Sequence, residues 1–584
     1  MLLLINNYHP EIRYFPAQFP YIEKIMLFIE VIMCGYLFYT GIKHKRPWTY
    51  SLIAVQFVIL ILFEIFGKTN IATTNNLFVD RLSVIMGLVV GIVGSMVALY
   101  TIGYMKDFQA YHKDVKDNRK FFFFVVFAFL SAMFGLVFSN NLKWLFFFWE
   151  ITTISSFFLI GYKQTDKARS KSFLALEMNI VGGITFLLAI VYLSSTSGII
   201  EIDKIIAQGK LLVLLPVALI CVSGVIKAAQ MPFSSWLLGA MEGPGPSSAL
   251  LHSSTMVKAG VYIMLRFVPV IAGTSVGFML ALIGGFSFLM CSLLAVAQKP
   301  SKGVLAYSTI ANLGLIVLCA GVGTAEAMWA AMLLIMFHAV SKCLLFLCVG
   351  MVENKIHSID IDDMSGLITR LPKISIMMQI GMAGMFLAPF GMLISKWAAL
   401  RALVDFNPIL TIFVVFGGSV TIFFWIKWIG TLITVVKPGE NIEGGISGTE
   451  WVPIYTLSAL TLGLCLFFPL ICSSLIEPFL LHTYGVTVTL GYDNIVIMLI
   501  MLSMVMLFPL AFLQYGKRVK VIDAYLGGAN TKDPTQFYAA AGARKTMEME
   551  NYYLDKYFGK KALLKPSTLI AAVLTILMVG LSLL

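Results

Sequence analysis

Stretches of about twenty apolar residues recur along nearly the whole chain, and that is the length an α-helix needs to cross a bilayer core of about 30 Å. Roughly sixteen such spans can be read by that criterion, near 22–42, 49–67, 77–104, 121–138, 142–162, 173–195, 211–240, 246–267, 271–297, 303–322, 325–350, 374–400, 406–435, 452–472, 491–513 and 566–584. Of the 584 residues, 59% are hydrophobic and only 12% charged, about half the charged share of a soluble domain. A soluble fold of this length would need polar exteriors that this composition cannot supply. The expected fold is therefore an all-α polytopic membrane protein of about 16 transmembrane helices.

The 42 Lys and Arg exceed the 30 Asp and Glu by twelve. The excess lies in alternate loops, at Lys43, Lys45 and Arg46; Lys106 to Lys120; Lys163 to Lys171; Lys299 and Lys302; and Lys355 to Lys373. By the positive-inside rule these loops are cytoplasmic, and an even number of spans then leaves both termini outside the cell membrane. The basic balance thus reads as topology, with lipid as the partner and no nucleic acid. The one long polar segment, 514–565, carries breaks at Gly527-Gly528 and Asp533-Pro534, and an amphipathic interfacial helix is predicted from Arg544 to Phe558. All eight cysteines lie in apolar runs without C-x-x-C spacing, so buried reduced thiols are expected and no metal site. The N-terminus lacks a basic region before its apolar start, so no cleavable signal peptide is expected.

An ionised side chain at the bilayer centre costs about 2.5–3.5 kcal/mol on insertion scales, so one that persists there needs a partner, a water cavity or a function. Glu30, Glu64, Glu150, Glu177, Lys227, His252, Lys258, His338, Lys342, Lys396 and Lys427 all fall inside spans. Glu150 is followed by Thr152, Thr153, Ser155 and Ser156, which make one side of the fifth span polar. Lys227 stands just before Met231-Pro232-Phe233, and Lys396 just after Pro389-Phe390-Gly391. Proline removes a backbone donor, so spans seven and twelve are predicted to break, and broken helices at mid-membrane line cavities and ion sites. His252 and Lys258 share the eighth span, about 9 Å apart along one helix at about 1.5 Å per residue. His338 and Lys342, at i and i+4, share a face of the eleventh. A carboxylate, lysine and histidine series of this kind can relay protons. Glu30 and Glu64 are isolated and read as structural pairing or snorkelling, while Lys427, between Trp425 and Trp428, reads either way.

Two lysines, each beside a Pro-Phe interruption and five spans apart, suggest an inverted repeat. The organisation predicted is an N-terminal group at 1–120, a first repeat at 121–267, a second at 271–435, and C-terminal helices at 436–584.

The run from Lys227 to Leu237 and on from Met241 to Tyr262, with Val304–Gly314, His338–Phe346 and the segment around Glu150, resembles the antiporter-like subunits shared by respiratory complex I, Mrp-type cation/proton antiporters and membrane-bound NiFe hydrogenases. The resemblance implies two inverted five-helix half-channels and a proton path through Glu150, Lys227, His252, Lys258, His338, Lys342 and Lys396, with Glu177 and Lys427 auxiliary. It implies an ion-translocating subunit, for H+ or Na+, without redox chemistry or cofactor of its own. A segment 514–565 that reaches only about 75 Å even if wholly helical resembles the large antiporter-like subunit of an energy-converting hydrogenase. That would imply peripheral NiFe hydrogenase-like and iron–sulfur partners on the cytoplasmic side. A Mrp-type antiporter subunit, or a complex I subunit, is the alternative.

Overall fold

The computed structural model describes residues 12–16, 21–66, 73–113, 115–386, 391–434, 440–486, 536–539, 542–546 and 552–583, with isolated positions 488, 496, 499 and 503. Its long helices are α1 (Ile22–Lys43), α2 (Pro47–Phe66), α3 (Arg81–Tyr111), α4 (Arg119–Phe138), α5 (Leu142–Ile160) and α6 (Asp166–Thr196). The next span is α7a (Lys210–Lys227) with α7b (Ser235–Gly239), followed by α8a (Gly245–Ser253) with α8b (Met256–Arg266). Then come α9 (Ser275–Val296), α10 (Ser301–Val322), α11 (Ala325–Ile356), α12a (Pro372–Phe386), α12b (Gly391–Phe406) and α13 (Pro408–Ile433). A pair bent by 74°, α14a (Gly448–Leu466) and α14b (Phe468–Tyr484), precedes α15 (Lys565–Leu581).

Side chains at the boundaries show why the helices begin where they do. Asp80 caps α3 by accepting from the Ser83 N–H at 2.8 Å, while the Ser83 hydroxyl takes the Asp80 N–H at 2.8 Å. Thr165, Thr274 and Thr324 cap α6, α9 and α11 by accepting the backbone N–H three residues on. Asn407 caps α13 just before Pro408, where a missing N–H costs nothing. The cap Asp80 is also held by Arg266 at the end of α8b, whose Nη2 reaches Oδ1 at 2.6 Å with both side chains buried.

The chain is an all-α polytopic membrane protein. Among the described residues eleven helices are long and apolar enough to cross a bilayer, or twelve if the bent pair counts as one. The sixteen expected spans are not all recovered as single helices. Spans seven and eight are each split into shorter pieces, and residues 387–390 of span twelve and nearly all of the span at 491–513 lie outside the described residues. The break in span eight was not foreseen. Ser253-Ser254-Thr255 interrupts it, with the Thr255 hydroxyl donating to the Leu250 carbonyl at 2.6 Å, so side-chain hydroxyls replace helical backbone bonds. The 9 Å spacing of His252 and Lys258, which assumed one helix, therefore does not apply. The interruption expected at Pro389-Phe390 lies outside the described residues. The helix expected from Arg544 is also corrected: Arg544–Thr546 is a strand paired with Gln536–Tyr538, because the chain turns back at Gly542, with φ 74°. Of that predicted helix only Asp555–Phe558 is helical among its described residues.

Burial is graded across the bundle. The apolar stretch of α11 is wholly buried and that of α10 94% buried, against 22% for α1 and 33% for α13. Helix α9 lies so close to α10 that a Cβ on Gly284 would stand 2.5 Å from the Gly314 carbonyl oxygen. His338 and Lys342 thus sit on the most enclosed helix of the molecule.

Candidate functional site

Lys227 is the last residue of α7a, where the open carbonyls of a helix end favour a cation. The helix is closed by a paired terminal motif. Gln230 N–H bonds the Val225 carbonyl at 3.0 Å and Ala229 N–H the Ile226 carbonyl at 3.0 Å, with Ala229 in the left-handed region at φ 53°. That position ordinarily takes glycine, so a non-glycine residue there is held by its surroundings. Close helix contact fixes the other side, since a Cβ on Gly260 of α8b would lie 2.5 Å from the Gly224 carbonyl oxygen of α7a.

The Lys227 ammonium donates to the Trp149 carbonyl at 3.1 Å and to the Thr153 hydroxyl at 2.9 Å, and lies 4.7 Å from the centre of the Trp149 ring. Glu150 is the next residue along α5, yet its carboxylate forms no ion pair with Lys227 within 4.0 Å. Its Oε1 is buried without a hydrogen-bond partner and faces Gly183 of α6, where a Cβ would stand only 2.5 Å away. Lysine and carboxylate are therefore neighbours held apart, one by backbone and hydroxyl, the other in a small cavity shared with Gln56.

The remaining predicted residues continue across the bundle. His252, in α8a, packs its ring 4.8 Å from that of Phe346 on α11, with both ring nitrogens unpartnered. Lys258, in α8b, meets His338 Nδ1 at 2.9 Å. One turn further along α11, Lys342 donates to the Leu305 carbonyl at 3.1 Å and to the Ser308 hydroxyl, with the Trp425 ring 5.0 Å away. Lys396 in α12b reaches the Thr421 hydroxyl of α13 at 3.3 Å. None of these four lysines has a carboxylate oxygen within 4.0 Å. Carbonyls, hydroxyls, a histidine and ring faces do the solvating instead.

Other candidates stand apart from this row. Glu177 accepts the Thr49 hydroxyl at 2.6 Å and so joins α6 to α2. Lys427 donates to the Val296 carbonyl at 3.0 Å and covers the ring of Tyr553 at 4.1 Å. Glu64 pairs with Lys143 at 3.6 Å. Trp149, Gln56, Gly183, Ser308 and Thr421 were not singled out by sequence reasoning. The available signals were a lone glutamine in the apolar run Ile53 to Leu60 and the doublet Gly182-Gly183. Among the described residues no cluster of histidine, cysteine or carboxylate side chains could hold a metal ion.

Fold and site together define a polytopic membrane protein with a buried row of ionisable side chains, most of them of basic type. The family model described as NADH:quinone oxidoreductase/Mrp antiporter matches residues 139–422, and the complex I chain 5 N-terminus model matches residues 68–113. The chain belongs to this family of antiporter-like membrane subunits. It is 33% identical over 410 residues to the Na(+)/H(+) antiporter A subunit of Alkalihalophilus pseudofirmus, covering 66% of this chain and 48% of that protein. To the Na(+)/H(+) antiporter A1 subunit of Staphylococcus haemolyticus it is 32% identical over 389 residues, covering 60% of this chain and 47% of that one. The chain thus spans about half the length of these curated relatives. The same fold is found in the Mrp complex of a Dietzia species, with TM-score 0.62, 24% identity, 80% of this chain and 53% of that one. It is found again in the membrane-bound sulfane sulfur reductase, an archaeal respiratory membrane complex, with TM-score 0.64, 21% identity, 79% of this chain and 97% of that one.

Proposed function

We propose that the chain is the ion-translocating subunit of a multi-subunit cation/proton antiporter of the Mrp type in the cell membrane, with the basic loops cytoplasmic. The observation that carries this reading is the 32–33% identity to Na(+)/H(+) antiporter A subunits across 60–66% of this chain. The relatives favour this reading over a hydrogenase subunit. In this proposal Glu150, Lys227, His252, Lys258, His338, Lys342 and Lys396 carry the proton, spread over the two half-channels at 121–267 and 271–435. Lys227 moves between its present acceptors on Trp149 and Thr153 and the waiting carboxylate of Glu150. Its proton leaves along His252, then Lys258, His338 and Lys342, and reaches Lys396. Glu177 and Lys427 hold elements together around that path.

A redox-driven complex with iron–sulfur and NiFe hydrogenase-like subunits is the second reading. Its specific support is the span of one match, since this chain covers 97% of the reductase-complex subunit. Affinity purification with identification of the co-eluting subunits separates the two. Small membrane subunits alone support the antiporter, and iron–sulfur or nickel subunits support the redox complex. In membrane vesicles holding the full complex, a sodium pulse should release a preformed proton gradient. Glu150→Gln or Lys227→Ala should lower that response at least tenfold, and undiminished exchange in both variants would refute the relay.

A further inference from the structure

Two cavities lead from one end of the bundle to Glu150. The outer one, about 190 Å³, is lined by Glu23, Lys24, Glu30, Glu64 and Lys143 among others, with room for several waters. The inner one, about 20 Å³, is lined by Glu30, Cys34, Gln56 and Glu150 among others, with room for a single water. Glu30, Leu60 and Phe146 belong to both linings, so the Glu30 side chain stands between the two chambers. Glu30 and Glu150 are each 7% exposed, and Glu150 Oε1, at the inner end, has no hydrogen-bond partner.

The helical rise gives these residues a common depth. Glu30 lies eight residues into α1 and Glu150 eight residues into α5, about 12 Å each at about 1.5 Å per residue, and Gln56 lies about 15 Å before the end of α2. Those helix ends share one side of the bundle with Lys143, the side that the lysine and arginine distribution makes the outer face.

We propose that these chambers form a proton access route from the outer face to Glu150, with Glu30 as the intermediate carrier and the Glu64–Lys143 pair at its mouth. The proposal rests on Glu150 being the proton-binding carboxylate of the relay. A chamber that holds one water has no room for a cation with its hydration shell but does hold the single water that a proton relay needs. Water in the inner chamber protonates the Glu150 carboxylate as it takes the proton of the Glu30 carboxyl, and a hydronium ion in the outer chamber restores that proton to Glu30 and becomes water. The O–H bond made at Glu150 is balanced by the one broken at that hydronium.

The test uses the complete complex in membrane vesicles. Glu30→Gln should slow cation-driven proton exchange at least tenfold at unchanged abundance in the membrane, and Glu30→Asp should restore part of the rate. Met26→Cys, in the wall of the outer chamber, should react with a membrane-impermeant thiol reagent added to intact cells, beyond the background of the unsubstituted chain. Full exchange in Glu30→Gln beside a dead Glu150→Gln overturns the route and leaves the relay standing. Full exchange in both overturns the relay itself. Labelling only in inverted vesicles, or none, overturns the outer mouth. Should Glu30→Gln not accumulate in the membrane, Glu30→Asp and the labelling decide: an unslowed aspartate variant supports a carboxyl carrier, and one as slow as Glu150→Gln counts against it.

Discussion

The separation of Glu150 from Lys227 depends on a residue with no side chain. A Cβ at position 183 would stand 2.5 Å from Glu150 Oε1, far inside van der Waals contact, so only glycine leaves the carboxylate its place. Gly183→Ala should therefore displace the carboxylate while adding a better helix former to the middle of α6, which favours the helix by about 1 kcal/mol. The expected outcome is normal abundance of the complex with cation-driven proton exchange at least fivefold lower, read in the vesicle assay. Unchanged exchange would mean that the carboxylate position does not matter. The ionisable residues themselves were legible in the sequence, because a charge inside an apolar span stands out against its cost. Their partners were less so: Thr153 stood out as part of the polar side of span five, but nothing in the local sequence marks the Trp149 carbonyl or the Ser308 hydroxyl as acceptors for a lysine of another helix.

Elements are joined at the loops by polar clamps. Glu201, before the short helix Ile202–Ala207, accepts the Thr74 N–H at 3.0 Å, the Thr74 hydroxyl at 3.2 Å and the Asn75 N–H at 2.6 Å, and pairs with Lys204. Burial works against its charge, yet the Lys204 ammonium and the Asn75 N–H outweigh it and hold the carboxyl below its ordinary range. A depressed folded value stabilises the clamp above the unfolded value of about 4.3, and that contribution is lost as pH falls through the folded one. Glu201→Gln should thus lower the thermal midpoint of the complex at pH 7 and at pH 5, with the gap to the parent closing below about pH 4. A gap of constant size at every pH would show that the carboxylate charge is not what the loop needs. Span seven was expected to break from Pro232 alone, whereas the break in span eight depends on hydroxyls bonding back to the chain. Serine and threonine occupy helix interiors as often as breaks in such runs, so periodicity could not decide between them.

Across the whole molecule, apolar surface remains exposed on the outer helices. Ile409, Ile412 and Phe416 of α13 and Leu569, Val573 and Ile576 of α15 are each at least 48% exposed. Patches of that extent are unstable in water and ordinary in lipid. The chain should remain in the membrane pellet through an alkaline carbonate wash and leave it only in detergent, followed by immunoblot; release by carbonate would contradict the membrane assignment. The class of fold was determined by the sequence alone, because a bilayer leaves a backbone of this composition almost no choice but helices. So were the ionisable residues, because each stands in a run where charge is costly. Only the tertiary structure decided which of them meet. Lys258 with His338 and Lys342 with Ser308 are 80 and 34 residues apart in the chain. Such pairings depend on how close the glycine faces let neighbouring helices approach, and that distance is a property of packed pairs of helices that no single span encodes.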